Sequence, residues 1–215
     1  MRRFLRDNGL TLVLLLMFAA SLLGMWLTGS RSHNEELARH GQPPLGLLAY
    51  ATSSGQFVSA VFENWESEFL QMAAYVVLTA MLFQRGSAES MDPDEAEESV
   101  SVAPDSPWPV RKGGVWLALY ERSLGTALGL LFLLSLVLHW LGTWRASNQE
   151  AALHGERLKS FLETLGEAGF WFESFQNWQS EFLSTAALVV LSIMLRQRNS
   201  PESKPVEAPH SKTGA

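Results

Sequence analysis

Residues 10–27, LTLVLLLMFAASLLGMWL, run for 18 positions without a charge, and residues 124–144, LGTALGLLFLLSLVLHWLGTW, run for 21 with His139 as their one ionisable group. A hydrocarbon core about 30 Å thick is crossed by roughly 20 residues of helix at about 1.5 Å each. Both runs are therefore read as transmembrane helices. The opening MRRFLRDNG has the basic residues of a secretory signal, Arg2, Arg3 and Arg6. Yet no small-x-small cleavage pattern follows Trp26, and the same kind of helix recurs inside the chain, so the first run is read as a retained anchor. With no cysteine among 215 residues, disulfides and thiol chemistry are excluded.

The chain also repeats itself. Aligning 62–90 with 175–203, FENWESEFLQMAAYVVLTAMLFQRGSAES against FQNWQSEFLSTAALVVLSIMLRQRNSPES, gives 19 identities in 29 positions. Upstream, Ser21, Trp26, Arg31, Asn34, Glu36, His40 and Gly41 match Ser135, Trp140, Arg145, Asn148, Glu150, His154 and Gly155 at an offset of 114. Two copies of one helix–loop–helix unit follow from this self-similarity. Each copy holds two spans, so both enter the membrane in the same orientation, a parallel repeat about an axis along the membrane normal. The expected fold is all-α, an integral membrane bundle of four transmembrane helices. Its plan is a first repeat over 1–86, a disordered acidic linker over 87–114, a second repeat over 115–199 and a disordered tail over 200–215.

Lys and Arg set the orientation. With the N-terminus inside, eleven fall on inner segments and five (Arg31, Arg39, Arg145, Arg157 and Lys159) on outer loops, so both termini are expected in the cytoplasm. Trp26, Trp65, Trp140, Trp144, Trp171 and Trp178 then form a belt at the outer boundary. The stretch 86–114 carries seven acids and two bases among Ser and Pro, too few apolar groups to fold alone. In the second outer loop Leu158, Phe161, Leu162 and Leu165 share one helical face, a short amphipathic helix on the membrane surface.

Phe69 to Phe83 and Phe182 to Leu195 are too short to span a bilayer core. Extending each back to Phe62 or Phe175 gives roughly 31–33 Å of helix. The paired NWxSEF motif is thus expected in the first two turns of its helix. There Asn64, Ser67, Glu68 and Gln71 share a face opposite Phe62, Trp65 and Phe69, matched by Asn177, Ser180, Glu181 and Ser184 opposite Phe175, Trp178 and Phe182. Glu63 and Glu66 drift to Gln176 and Gln179, while Glu68 and Glu181 are kept. The structural account is a helix-start acid, an Asn cap and an interfacial Trp. The functional one is two Asn-Ser-Glu stripes facing each other as a polar vestibule for a cation or proton. Asn64, Trp65, Ser67, Glu68, Asn177, Trp178, Ser180 and Glu181 are the candidate functional or interfacial residues.

Other chemistry is thin. His40 and His154 each precede Gly near Glu36 and Glu150, a pattern that suits an ordinary turn as well as a metal, and no metal is assigned. His139 corresponds to Met25, which argues against a paired haem ligand. The sequence holds no nucleophile–base arrangement, phosphate loop or nucleic-acid patch, so no enzyme, cofactor or nucleic-acid partner is expected. NEELARHGQPP (34–44), the paired NWESEF/NWQSEF and QRGSAES/QRNSPES together resemble a family of uncharacterised bacterial integral membrane proteins, a domain of unknown function with two tandem copies of this unit. The resemblance covers nearly the whole chain and implies the bacterial cytoplasmic membrane, with no activity or substrate. The expected role is a structural or interaction component of that membrane, in contact with the lipid bilayer and with a membrane protein partner or a second copy. The alternative is a small transporter or channel for a cation or proton that uses Glu68 and Glu181.

Overall fold

The computed structural model describes residues 2–95 and 100–214. Residues 96–99 of the expected linker, Met1 and Ala215 lie outside the described residues. Among the described residues the fold is all-α, 70% helical and without strands. Among the described residues four long helices dominate: α2 (Gly9–Arg39), α4 (Gly55–Thr79), α7 (Ser123–His154) and α9 (Ala168–Met194). Five short ones punctuate them: α1 (Arg2–Asp7), α3 (Leu47–Ser53), α5 (Trp108–Lys112), α6 (Gly114–Glu121) and α8 (Phe161–Leu165). α2 and α7 are long and apolar enough to cross a membrane; at 31 and 32 residues they reach about 46 and 48 Å.

The distribution of side chains is inverted relative to a protein in water, where large apolar groups fill the core. Among the described residues only five apolar side chains are buried, Tyr50, Val61, Leu128, Ala151 and Phe170. The buried set is mostly polar and includes Ser59, Glu66, Ser67, Ser87, His139 and Lys204. Meanwhile the apolar run of α2 is wholly on the surface, with Leu10 77% and Leu16 69% exposed.

The chain divides into two compact units, Met1–Phe62 with Leu138–Glu167, and Glu63–Val137 with Ala168–Ala215. In the first, the starting turns of α4 pack against α7 on small residues. A methyl group added at Gly142 would overlap the Ser59 backbone, and one at Gly55 the Arg145–Ala146 backbone. That close approach lets the Ser59 and Thr143 hydroxyls bond at 2.8 Å, and Gln149 accepts from the Gly55 N–H and donates to the Ser53 carbonyl.

The loops after α2 and α7 are closed in the same way. Asn34 donates to the Leu45 carbonyl and accepts from its N–H, at 3.0 and 2.8 Å. Asn148 does the same to Lys159, at 2.9 and 2.7 Å. Trp26 donates to the Leu47 carbonyl and Trp140 to that of Phe161, both at 2.9 Å. Each helix ends in His-Gly, with Gly41 at φ 68° and Gly155 at φ 69°, the left-handed turn that only glycine enters cheaply.

In the second unit the QRxSxES motif proves to be a turn. The Gln84 N–H donates to Ser90 Oγ and the Gln197 N–H to Ser203 Oγ, at 2.8 and 2.9 Å. The Glu89 N–H donates to Ser87 Oγ and that of Glu202 to Ser200 Oγ. The tail folds onto the first of these turns: Thr213 accepts from the Gly86 N–H, Gly214 donates to the Ser87 carbonyl, and the Lys204 ammonium, 1% exposed, donates to the carbonyls of Gly86, His210 and Lys212. Residues 87–90 and 203–214, assigned by composition to a disordered linker and tail, are thus bonded in place. The end of the linker is helical as well, where Lys112 lies 4.9 and 4.8 Å from the Trp108 and Trp116 ring centres.

Candidate functional site

The NWxSEF motifs do not begin their helices. α4 starts at Gly55 and α9 at Ala168, seven residues before the expected Phe62 and Phe175. Asn64 is therefore not a cap and Glu68 is not a first-turn acid. At 25 and 27 residues the two helices reach about 37 and 40 Å, and the motifs sit well inside them. GQFVSAV and AGFWFES contain Gly, β-branched and aromatic residues of modest helix propensity, which is why the helix starts are hard to place by inspection.

The inward face differs from the expected one. Glu66 and Ser67 are buried, at 0% and 2% exposure, whereas Asn64 and Glu68 are exposed. Between α4 and α9 the bonds run from Asn177 Nδ2 to Glu63 Oε1 at 2.5 Å, from Trp178 Nε1 to Glu66 Oε1 at 3.0 Å, and from Gln71 Nε2 to Thr185 Oγ1 at 2.7 Å. Glu63 to Gln71 is eight residues, so the seam is about 12 Å long. Trp178 also meets Phe175 edge-on, ring centres 5.2 Å apart, and Phe132 at 6.2 Å.

Of the eight candidate residues, Asn177 and Trp178 lie in this seam. Ser67 and Ser180 instead donate to carbonyls of their own helices, those of Asn64 and Asn177, each at 2.8 Å. Asn64 and Trp65 are on the same helix but make none of the three seam bonds. Glu68 is exposed on α4 and Glu181 half-buried on α9, and neither makes one of the three seam bonds. Two facing Asn-Ser-Glu stripes are not the arrangement found: the seam pairs Glu63 and Glu66, which the sequence comparison set aside as drifting, with Asn177 and Trp178. The missed signal was that an acid in one copy can serve the kept Asn and Trp of the other.

Below the seam, the Tyr75 hydroxyl donates to Glu89 Oε2 at 2.5 Å. Burial pushes the Glu89 carboxyl above the usual range; the Tyr75 hydrogen bond lowers it and the nearby Glu202 raises it. Ser87 and Ser192 hydroxyls bond at 2.9 Å, and Ser192 Oγ also accepts from the Ala88 N–H. α4 and α9 are thus joined by polar side chains from Glu63 down to the QRGSAES turn. The arrangement binds helix to helix.

A family described as a domain of unknown function, DUF6766, matches residues 1–215, and the chain belongs to it. No curated protein and no solved structure matches the chain.

Proposed function

We propose that this member of DUF6766 is an integral protein of the bacterial cytoplasmic membrane, crossing it four times as a parallel duplication of a two-helix unit, with both termini in the cytoplasm. Its role is that of a structural or interaction component with no catalytic activity, acting through contacts with lipid and with a membrane protein or a second copy of itself. The observation that carries this reading is the inverted distribution of side chains: apolar groups on the surface, hydroxyls, a carboxylate and an amine inside. In water that arrangement costs stability at every exposed leucine, while lipid accommodates the exposed apolar side chains.

The remaining parts of the proposal have their own support. α4 and α9 are long enough to span, and inside lipid their polar seam is the kind of side-chain bonding that holds helices together. The duplication is supported by the two Asn clamps, the two Trp bonds and the two QRxSxES turns, each made at the same sequence spacing. The seam supports a structural role over transport, because it commits Glu63, Glu66 and Gln71 to bonds with Asn177, Trp178 and Thr185 of the facing helix.

Reporter fusions test the topology. Fusions after Gly86 and after Ser200 are expected to report the cytoplasm, and fusions within 31–60 or 146–170 the outside. A cytoplasmic signal from the 31–60 loop would overturn the model.

A further inference from the structure

The two His-Gly turns end α2 and α7, and both belong to the first unit. His40 and His154 lie with ring centres 5.3 Å apart and planes at 80°, both exposed. Each Nδ1 is 3.1 or 3.0 Å from a carbonyl one turn back, Glu36 for His40 and Glu150 for His154. A carbonyl oxygen only accepts, so each Nδ1 carries the hydrogen. In the neutral ring this leaves the lone pair on Nε2.

We propose that His40 and His154 form a bis-imidazole site for a late first-row divalent metal ion, Zn2+, Cu2+ or Ni2+, bound through their Nε2 atoms. Fixing the tautomer by an Nδ1–H bond to a carbonyl is the usual support behind a metal-binding imidazole. The ring spacing fits: with a metal–nitrogen bond of about 2.0–2.1 Å and about 1.1 Å from nitrogen to ring centre, two imidazoles on one tetrahedral ion have centres about 5.1–5.2 Å apart. Imidazole donors select this group of metals over hard cations. Two helix C-termini, the negative ends of their dipoles, meet at the site and favour a cation there. The two protein ligands leave the other positions to water. Capping a helix end would occupy Nδ1 alone and would not require the two rings to meet.

Titrating the untagged full-length chain in detergent with Zn2+ or Cu2+ tests this. One ion per chain is expected, weakened at least tenfold by either His40→Gln or His154→Gln, with the double variant little worse than either single one. Because a variant could fail to fold, paramagnetic resonance of Cu2+ on the unaltered chain gives an independent reading, and coupling to two imidazole nitrogens is expected. Unchanged affinity in the folded double variant, or a Cu2+ spectrum without imidazole coupling, would overturn the site.

Discussion

The loops that follow α2 and α7 make the same pair of backbone bonds, Asn34 to Leu45 and Asn148 to Lys159, yet little built around those bonds is shared. The first loop carries Pro43 and Pro44 and leads into α3. The second has no proline there. Instead Trp144, which stands where α2 has Ser30, also donates to the Lys159 carbonyl at 2.9 Å. Phe161 stacks on Trp140 with ring centres 3.8 Å apart, and Lys159 pairs with Glu167. Ser160 and Glu163 then form a reciprocal capping box on α8. One loop restricts its unfolded chain with proline; the other adds bonds to its folded state. The asparagine clamp is what both retain, and it is the part that sets the loop's path.

The largest effect expected from this contrast is at the clamps. Asn34→Ala leaves both the N–H and the carbonyl of Leu45 without the amide that satisfied them, a loss of about 2–3 kcal/mol by the usual cost of unpaired backbone groups. Asn148→Ala is expected to cost less, about 1–2 kcal/mol, because Trp144 still serves the Lys159 carbonyl. Thermal unfolding of both variants in detergent checks the difference. Equal losses would mean that Trp144 adds nothing and that the two loops are energetically alike.

A smaller effect sharpens the same point. Trp144→Phe keeps most of the ring and removes one of two donors to the Lys159 carbonyl, so alone it is expected to cost about 0.5–1 kcal/mol. Combined with Asn148→Ala it leaves that carbonyl bare. The double variant should then lose about 1 kcal/mol more than the two single losses together. Simple additivity would show the two donors to be independent and the second loop to lack the redundancy assigned to it.

This contrast also marks how far the sequence could be read. The uncharged runs located α2 and α7, since length and the absence of charge are local properties. The matched Asn34/Asn148 and Trp26/Trp140 were legible as repeat positions, with the tryptophans read as an interfacial belt, and the structure shows all four bonding the backbone of the loop after their helix. The inward face of α4 was not legible. Comparing copies highlights what is kept, Glu68 and Glu181, whereas the seam joins unlike partners, Glu63 with Asn177 and Glu66 with Trp178. Helix starts at Gly55 and Ala168 were missed because their first turns carry weak helix formers. The tail was missed for a different reason. Its order comes from hydroxyls and one ammonium meeting residues more than 100 positions away, as Lys204 meets Gly86 and Thr213 meets Gly86, and composition carries no trace of such pairings.

The smallest expected effect lies in the capping box, which the first loop lacks, since Ala49 stands where the second has Glu163. Glu163 accepts from the Ser160 N–H and from Arg157, each at 2.7 Å, and these hydrogen bonds, with that of the Ser160 hydroxyl, hold its carboxyl down to about 2. A depressed carboxylate stabilises the fold above its unfolded value of about 4.3, and that contribution disappears as pH falls from there toward the folded value. The side chain is exposed, so salt screens the interaction and the effect is modest. Glu163→Gln retains a side chain that can still complete a capping box but has no charge to lose. The variant is expected to melt slightly below the unaltered chain at pH 7, and the gap should close between about pH 4 and pH 2. Raising the salt at pH 7 should narrow it as well. A gap that stays constant through that pH range would mean that packing, rather than the carboxylate's charge, distinguishes the second loop at this position.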